Sequence, residues 1–148
     1  MEAVIFCGIQ GTGKSTFYQE RFFRTHMRIS LDLLRTRRRE SIFLTVCLES
    51  GQRFVVDNTN PTQAERLVYI QSAKAKKFKV IGYYFASKAE EALCRNASRP
   101  ESERVPDVAV KGTLAKLERP SLAEGFDELY HVDIAQEKFI VSEWNDAI

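Results

Sequence analysis

The chain has 148 residues with a net charge of +2, 44% hydrophobic and 28% charged positions, the profile of one ordinary globular domain. So small an excess of positive charge does not announce a nucleic-acid binder, so any basic signal must be local. No apolar run approaches the ~20 residues of a membrane span. Cys7, Cys47 and Cys94 are far apart with no CxxC pair, and the two histidines, His26 and His131, share no ligand-like spacing. Disulfides, a zinc centre and a histidine-based nucleophile triad are thereby disfavoured, and reduced thiols in a cytoplasmic protein are expected.

The start, MEAVIFCGIQ, has no basic leader and runs straight into a glycine turn, so no signal peptide is expected. AVIFC (3–7) is a short continuous apolar run, as a strand buried on both faces should be. A helix is predicted from Lys14 to about Thr25, then a short strand, MRIS (27–30). Asp32 to about Ser50 reads as one helix, with apolar pairs Ile42/Val46, Phe43/Cys47 and Leu44/Leu48 four apart and Gly51 as its stop. RFVVD (53–57) is a third strand, Pro61 to about Ala75 a helix with proline in its first turn, and FKVIGYYF (78–85) a fourth strand. Lys88 to about Asn96 is helical, SRPESERVP (98–106) an exposed loop, Asp107–Leu117 helical and ELYHVDI (128–134) a fifth strand. FIV at 139–141 and the tail WNDAI fit no element clearly.

Apolar runs alternating with helices argue for an α/β fold with a parallel sheet, in a single domain spanning 1–148. Right-handed crossovers put all carboxyl ends of such strands on one edge, where ligands bind. Segments 8–15, 30–35, 57–60 and 86–99 are therefore expected around one shared site.

Gly8, four residues, then Gly13-Lys14-Ser15 is the P-loop pattern, here between a buried strand and a helix. Gly8, Gly11 and Gly13 let backbone N–H groups, including that of Thr12, turn toward an anion, and the helix start adds its positive dipole end. Lys14 then reaches the β- and γ-phosphates of ATP and the Ser15 hydroxyl holds Mg²⁺. Thr16 offers a second hydroxyl there, with helix packing as its other reading. Asp57 ends the third strand and fits the carboxylate that supports Mg²⁺. Asn58 and Asn60 follow on the same edge as candidates for the substrate side, although Asn60 or Thr59 could equally cap the next helix.

ISLDLLR (29–35) puts Asp32 just after the second strand and Arg35 one helical turn later, on one face. Phosphoryl transfer needs a carboxylate for the acceptor hydroxyl's proton and cations on the developing charge. A helix N-cap is the competing role for Asp32, and a solvated charge or salt bridge that for Arg35. Arg37, Arg38 and Arg39 continue up the same helix; a solvated face is their first reading, although such a ridge would suit a polyanionic acceptor. Arg95 and Arg99 begin a lid segment, about 95–110, whose arginines could close over ATP. A small-metabolite or nucleoside kinase and a nucleotide switch without an acceptor are the competing functions. Against the switch, no glutamate follows Asp57 to polarise water.

GIQGTGKST, SLDLLR, VDNTNP, RNASR and RPSLAEGFDELY together resemble the kinase domain of polynucleotide 5′-kinases, P-loop kinases that repair nucleic-acid ends, from residue 4 to about 133. That resemblance implies a P-loop kinase fold with a five-stranded parallel sheet of order 2-3-1-4-5 flanked by helices. It implies that Asp32 is the general base toward a 5′-hydroxyl of DNA or RNA and that Arg35 grips the neighbouring phosphate. Lys14, Ser15 and Asp57 would serve ATP and Mg²⁺, Arg99 would touch donor phosphates and Arg95 would stack on the adenine. Leu31 departs from the polar or basic residue that relatives often carry there. Phosphatase or ligase partners for end healing are expected as separate chains.

Overall fold

The computed structural model describes residues 1–145 and has β1 (Glu2–Cys7) at its centre. Side chains alternate across a strand. Ala3 and Ile5 accordingly enter one apolar layer, while Val4 and Phe6 enter the other. β1 pairs in parallel with β3 (Phe54–Val56) on one side and β4 (Lys79–Phe85) on the other. β2 (Met27–Ile29) pairs with β3, and β5 (Glu128–Ala135) with β4, both also in parallel.

β6 (Lys138–Glu143) is added antiparallel to β5, giving one six-stranded sheet in the order β2-β3-β1-β4-β5-β6. The expected order holds for the first five strands, but the five-stranded, wholly parallel sheet is corrected by this sixth. β6 contains the FIV segment that the sequence left unplaced. Its residues alternate as an edge strand should: Phe139 and Val141 pack on the core, while Ile140 is 51% exposed. The hairpin turns on Gln136 and Glu137, both with positive φ (51° and 62°). That is the backbone of a two-residue turn matched to strand twist, built here without the usual asparagine or glycine.

The two faces are covered differently. On one lie α3 (Arg37–Ser50) and α4 (Gln63–Ala75), which contribute Leu44, Cys47, Tyr69, Ile70 and Ala73 to the core. On the other, α1 (Lys14–Arg21) contributes Phe17, whose ring meets those of Phe6, Phe85 and Phe139 at centroid distances of 5.8, 5.3 and 5.1 Å. α5 (Ala89–Ala97) and α6 (Asp107–Lys116) form a third cluster through Ala92 and Val110, with Ile9 of the glycine loop between them. Among the described residues no helix is long and apolar enough to cross a membrane.

Two helix boundaries differ from expectation for local reasons. The helix expected over 32–50 is broken: α2 (Leu31–Leu34) ends at Arg35, which takes φ +73°. Thr36 then caps α3 by accepting from the Arg39 amide at 3.1 Å. The helix expected from Pro61 starts at Gln63, because Thr62 and Glu65 form a reciprocal capping box. The cap is thus neither Asn60 nor Thr59. α1 stops at Arg21, short of Thr25.

A buried ion pair joins α4 to the RPSLAEGF segment. Arg66, fully buried, donates from Nε to Glu124 Oε1 at 2.7 Å and from Nη2 to Oε2 at 3.1 Å. Its remaining nitrogen, Nη1, donates to the Asn60 carbonyl at 2.9 Å, beneath the glycine loop. Removing one partner strands a buried charge, so Arg66→Ala or Glu124→Ala should cost about 3–5 kcal/mol in urea denaturation, whereas the double change Arg66→Met/Glu124→Leu recovers most of it. Losses near zero for both single changes would mean that the pair does not hold this corner together.

Candidate active site

The loop between β1 and α1 has the backbone that its glycines were expected to supply. Gly11 and Gly13 have φ of +78° and +88°. A Cβ on Gly11 would lie 2.5 Å from the Ala92 carbonyl oxygen of α5, so only glycine fits there. Gly13 precedes α1, and Phe139 of β6 packs against it. The Gly8 amide donates to the Thr59 carbonyl at 3.0 Å, tying the loop to the end of β3. Thr12 closes the loop internally by donating to the Ile9 carbonyl at 2.8 Å. Thr16 lies exposed in the first turn of α1 rather than packed.

Lys14 is buried, and its ammonium donates to the Gly8 and Ile9 carbonyls at 3.0 and 2.7 Å. Burial pulls its pKa down from 10.5 to about 8, with the Arg99 charge pushing the same way and those of Asp57 and Asp32 opposing. Residues from three separate loops thus act on one lysine. Cys7, just ahead of the loop, is pushed up to about 11 by burial, which leaves it an unreactive thiol.

Asp57, at the end of β3, is buried and accepts from Ser15 Oγ at 3.1 Å and from Arg28 Nε at 2.8 Å. Arg28 also donates from Nη2 to Ser15 Oγ at 3.1 Å. A hydroxyl and a carboxylate meeting beside the glycine loop are the hard oxygen donors that Mg²⁺ takes, with substrate phosphates and water completing the shell. A guanidinium bridging the two oxygens shows that the spot favours a cation, so the pair fits the ion. No cluster of three or more His, Cys, Asp or Glu side chains suited to a metal occurs among the described residues.

Asp32 is exposed on α2, with no hydrogen bond or ion pair to another described residue. Arg35 is exposed too, at the break after α2, so the three arginines beyond it start a new helix instead of continuing Asp32's. Asn58 and Asn60, expected on the substrate side, are turned inward. Asn58 accepts from the Leu31 amide at 2.9 Å and donates to Glu40 Oε2 at 2.9 Å. Asn60, buried, donates to the Phe6 carbonyl at 2.8 Å. Both bind the protein to itself.

The 95–110 segment that carries the arginines is hydrogen-bonded at its base. Asn96 exchanges two hydrogen bonds with the Val105 backbone, at 2.6 and 3.0 Å, which pins the 98–106 segment at its base. Within it Glu101–Glu103 form a 3₁₀ turn. Arg95 reaches the Gly11 carbonyl at 3.5 Å and Glu91 at 3.7 Å. Arg99 is half-buried and close enough for its charge to act on Lys14.

A family model for the AAA domain matches residues 36–120, more than half of the chain. The chain belongs to the AAA domain family. Its fold is that of P-loop kinases, which implies nucleotide binding at the loop just described. Over 97% of this AAA domain chain, 25% of residues are identical to the bifunctional polynucleotide phosphatase/kinase of Schizosaccharomyces pombe (strain 972 / ATCC 24843), of whose length the chain spans 36%. A gluconokinase from Sinorhizobium meliloti 1021 superposes with a TM-score of 0.63 at 18% identity, over 91% of this chain and 83% of that one. Chaetomium thermophilum Kti12, in complex with ADP-AlF3, superposes with a TM-score of 0.67 at 14% identity, over 88% of each chain. At these identities the two structures speak for the fold alone.

Sequence reasoning missed Arg28, Glu40 and the Arg66–Glu124 pair. A lone arginine inside the three-residue strand MRI was a signal, because a charge at a sheet's ligand edge needs a partner.

The depressed pKa of Lys14 has a measurable consequence. The ammonium is the form that attracts a triphosphate, and without nucleotide it loses its proton as pH rises through about 8. Nucleotide binding then takes up a proton, and affinity should fall by about tenfold per pH unit above that point. Fluorescence anisotropy of a labelled nucleotide between about pH 7 and 9.5 checks this, with Lys14→Arg expected to flatten the profile. A flat profile for the unaltered chain would exclude Lys14 as the titrating group.

Proposed function

We propose that the chain is a kinase that moves the γ-phosphoryl group of ATP to the 5′-hydroxyl of a polynucleotide. The observation that supports this best is Asp32: an exposed carboxylate with no partner among the described residues, near enough to Lys14 for its charge to act on it. A carboxylate with no ion pair is open to an approaching hydroxyl. The alignment over nearly the whole chain with a polynucleotide phosphatase/kinase favours a nucleic-acid acceptor over a sugar or nucleoside.

In this reading the glycine loop and the α1 N-terminus cradle the triphosphate, and Lys14 leaves the Gly8 and Ile9 carbonyls for the β- and γ-phosphates. Ser15 and Asp57 would hold Mg²⁺, which would supply positive charge against the phosphates. Asp32 accepts the 5′-hydroxyl proton as the new oxygen–phosphorus bond forms and the bond to the β-phosphate oxygen breaks, releasing ADP. Arg99 offsets charge on the donor side. Arg35, exposed beside Asp32, grips the acceptor phosphate next to the reacting end.

With γ-labelled ATP, Mg²⁺ and a 5′-hydroxyl oligonucleotide, label should reach the oligonucleotide. Asp32→Asn should lower that rate by about 10²–10⁴ while nucleotide affinity stays within about twofold. Label appearing only as free phosphate, unaffected by Asp32→Asn, would show an ATPase instead, and transfer to a sugar or nucleoside alone would move the acceptor to small metabolites.

Arg35→Ala should weaken oligonucleotide binding and reduce the slope of log affinity against log salt by about 1, since one phosphate contact and its released counterion are lost. An unchanged slope would remove Arg35 from the acceptor side.

A further inference from the structure

Arg28 is the one cation bonded to Asp57 among the described residues, and the phosphate reading gives it no work. It stands on β2, the edge strand of the sheet, and reaches across to the ends of β3 and α1. Its fork closes a triangle: Nε to Asp57 Oδ2 at 2.8 Å, Nη2 to Ser15 Oγ at 3.1 Å, and Ser15 Oγ to the same Asp57 oxygen at 3.1 Å. The guanidinium occupies both oxygens at which a divalent ion would sit. The Asp57 side chain is 2% exposed and that of Arg28 is 26% exposed. The carboxylate is fixed, whereas the arginine has solvent on one side to move into.

We propose that Arg28 is a placeholder cation that keeps free divalent ions out of the Ser15–Asp57 seat until a nucleotide arrives. The inference rests on the reading of Ser15 and Asp57 as the ion's protein ligands. A buried carboxylate left unpaired is costly, so without nucleotide the guanidinium neutralises Asp57. A free ion must break both guanidinium hydrogen bonds, the one to Asp57 an ion pair, to reach the same oxygens, and the loop alone offers it few further donors. A triphosphate in the glycine loop changes the balance twice. Its oxygens complete the ion's shell, and its negative charge gives the arginine fork another anion to bind. Nucleotide and ion therefore enter as a unit, and the seat is not left charged and open between turnovers.

The test is Mn²⁺ binding to the full chain, followed by electron paramagnetic resonance without nucleotide and with saturating ADP. Without nucleotide, Arg28→Gln should bind Mn²⁺ about tenfold tighter than the unaltered chain, the equivalent of one lost charge-assisted hydrogen bond. With ADP the two should agree within about threefold. The gain should vanish in Arg28→Gln/Asp57→Asn, which shows that the new ion sits at that seat. Equal free-ion affinity in the two proteins would overturn the proposal, as would a gain that survives Asp57→Asn. If Arg28→Gln does not fold, the Arg28 Nε–H resonance of the unaltered chain decides. It should stay put with Mg²⁺ alone and shift with Mg²⁺ and ADP together; a shift with Mg²⁺ alone would overturn the proposal. Failure of the underlying reading looks different: Asp57→Asn alone would then leave the Mn²⁺ dependence of ADP affinity unchanged.

Discussion

The parallel pairing of β1 with β3 on one side and β4 on the other is the constraint on which the site depends. β1 contributes no side chain to the chemistry. It is buried along nearly its whole length, and its register, Ile5 opposite Val56 and Cys7 opposite Tyr84, sets where three connecting segments begin. The glycine loop, the Asp57 turn and the segment leading to α5 leave the sheet side by side for that reason. One backbone bond, Gly8 amide to Thr59 carbonyl, then locks the first two together. Slipping β1 by one residue would exchange the side chains that fill the two apolar layers, Ala3 and Ile5 for Val4 and Phe6, so the fit of the core enforces the alignment.

Charge at this edge is balanced locally, because little of it can be shed to water. Lys14 and Asp57 are both buried, and each is satisfied by near neighbours: two carbonyls for the lysine, a hydroxyl and a guanidinium for the aspartate. The depressed Lys14 pKa measures what burial costs when the compensating groups are carbonyl dipoles and not a direct ion pair. An incoming triphosphate supplies the missing anion. Where Asp57 turns inward to one guanidinium, Asp32 is exposed with no partner among the described residues, and that contrast separates a carboxylate that holds a cation from one open to solvent.

Signals that act over a few residues were legible in the sequence. The glycine spacing, the buried first strand and the apolar–helical alternation pointed to the loop and to a parallel α/β sheet, while the order of the first five strands came from the family resemblance. What escaped them depends on tertiary context. The break at Arg35 was hidden because no glycine or proline marks it; the cap on Thr36 and the inward pull on Arg37 and Glu40 decide it. β6 was hidden because Gln136–Glu137 is not a usual turn sequence and because its apolar positions are explained only by the Phe17 surface they cover. Asn58 and Asn60 looked like site residues because they follow a strand-end aspartate. Their amides instead satisfy backbone groups at the ends of α2 and β1, where unpaired N–H and C=O groups are expensive.

The break at Arg35 also separates two tasks that one continuous helix would have merged. Four-residue α2 is too short to hold itself, and its first amide is held by Asn58, which is fixed in turn by Glu40 and Tyr69. Burial raises the Tyr69 pKa well above its ordinary value, and the Glu40 carboxylate adds to the shift, so the phenol stays a donor at any ordinary pH. The start of α2, which carries Asp32, is therefore held from beneath by a hydrogen-bonded network anchored on α3 and α4. Arg35, Arg38 and Arg39 are exposed at and beyond the break, outside that hydrogen-bonded network. In the proposed reading, the carboxylate is positioned by hydrogen bonds from the framework beneath α2, and the arginines past the break would meet the acceptor's charge.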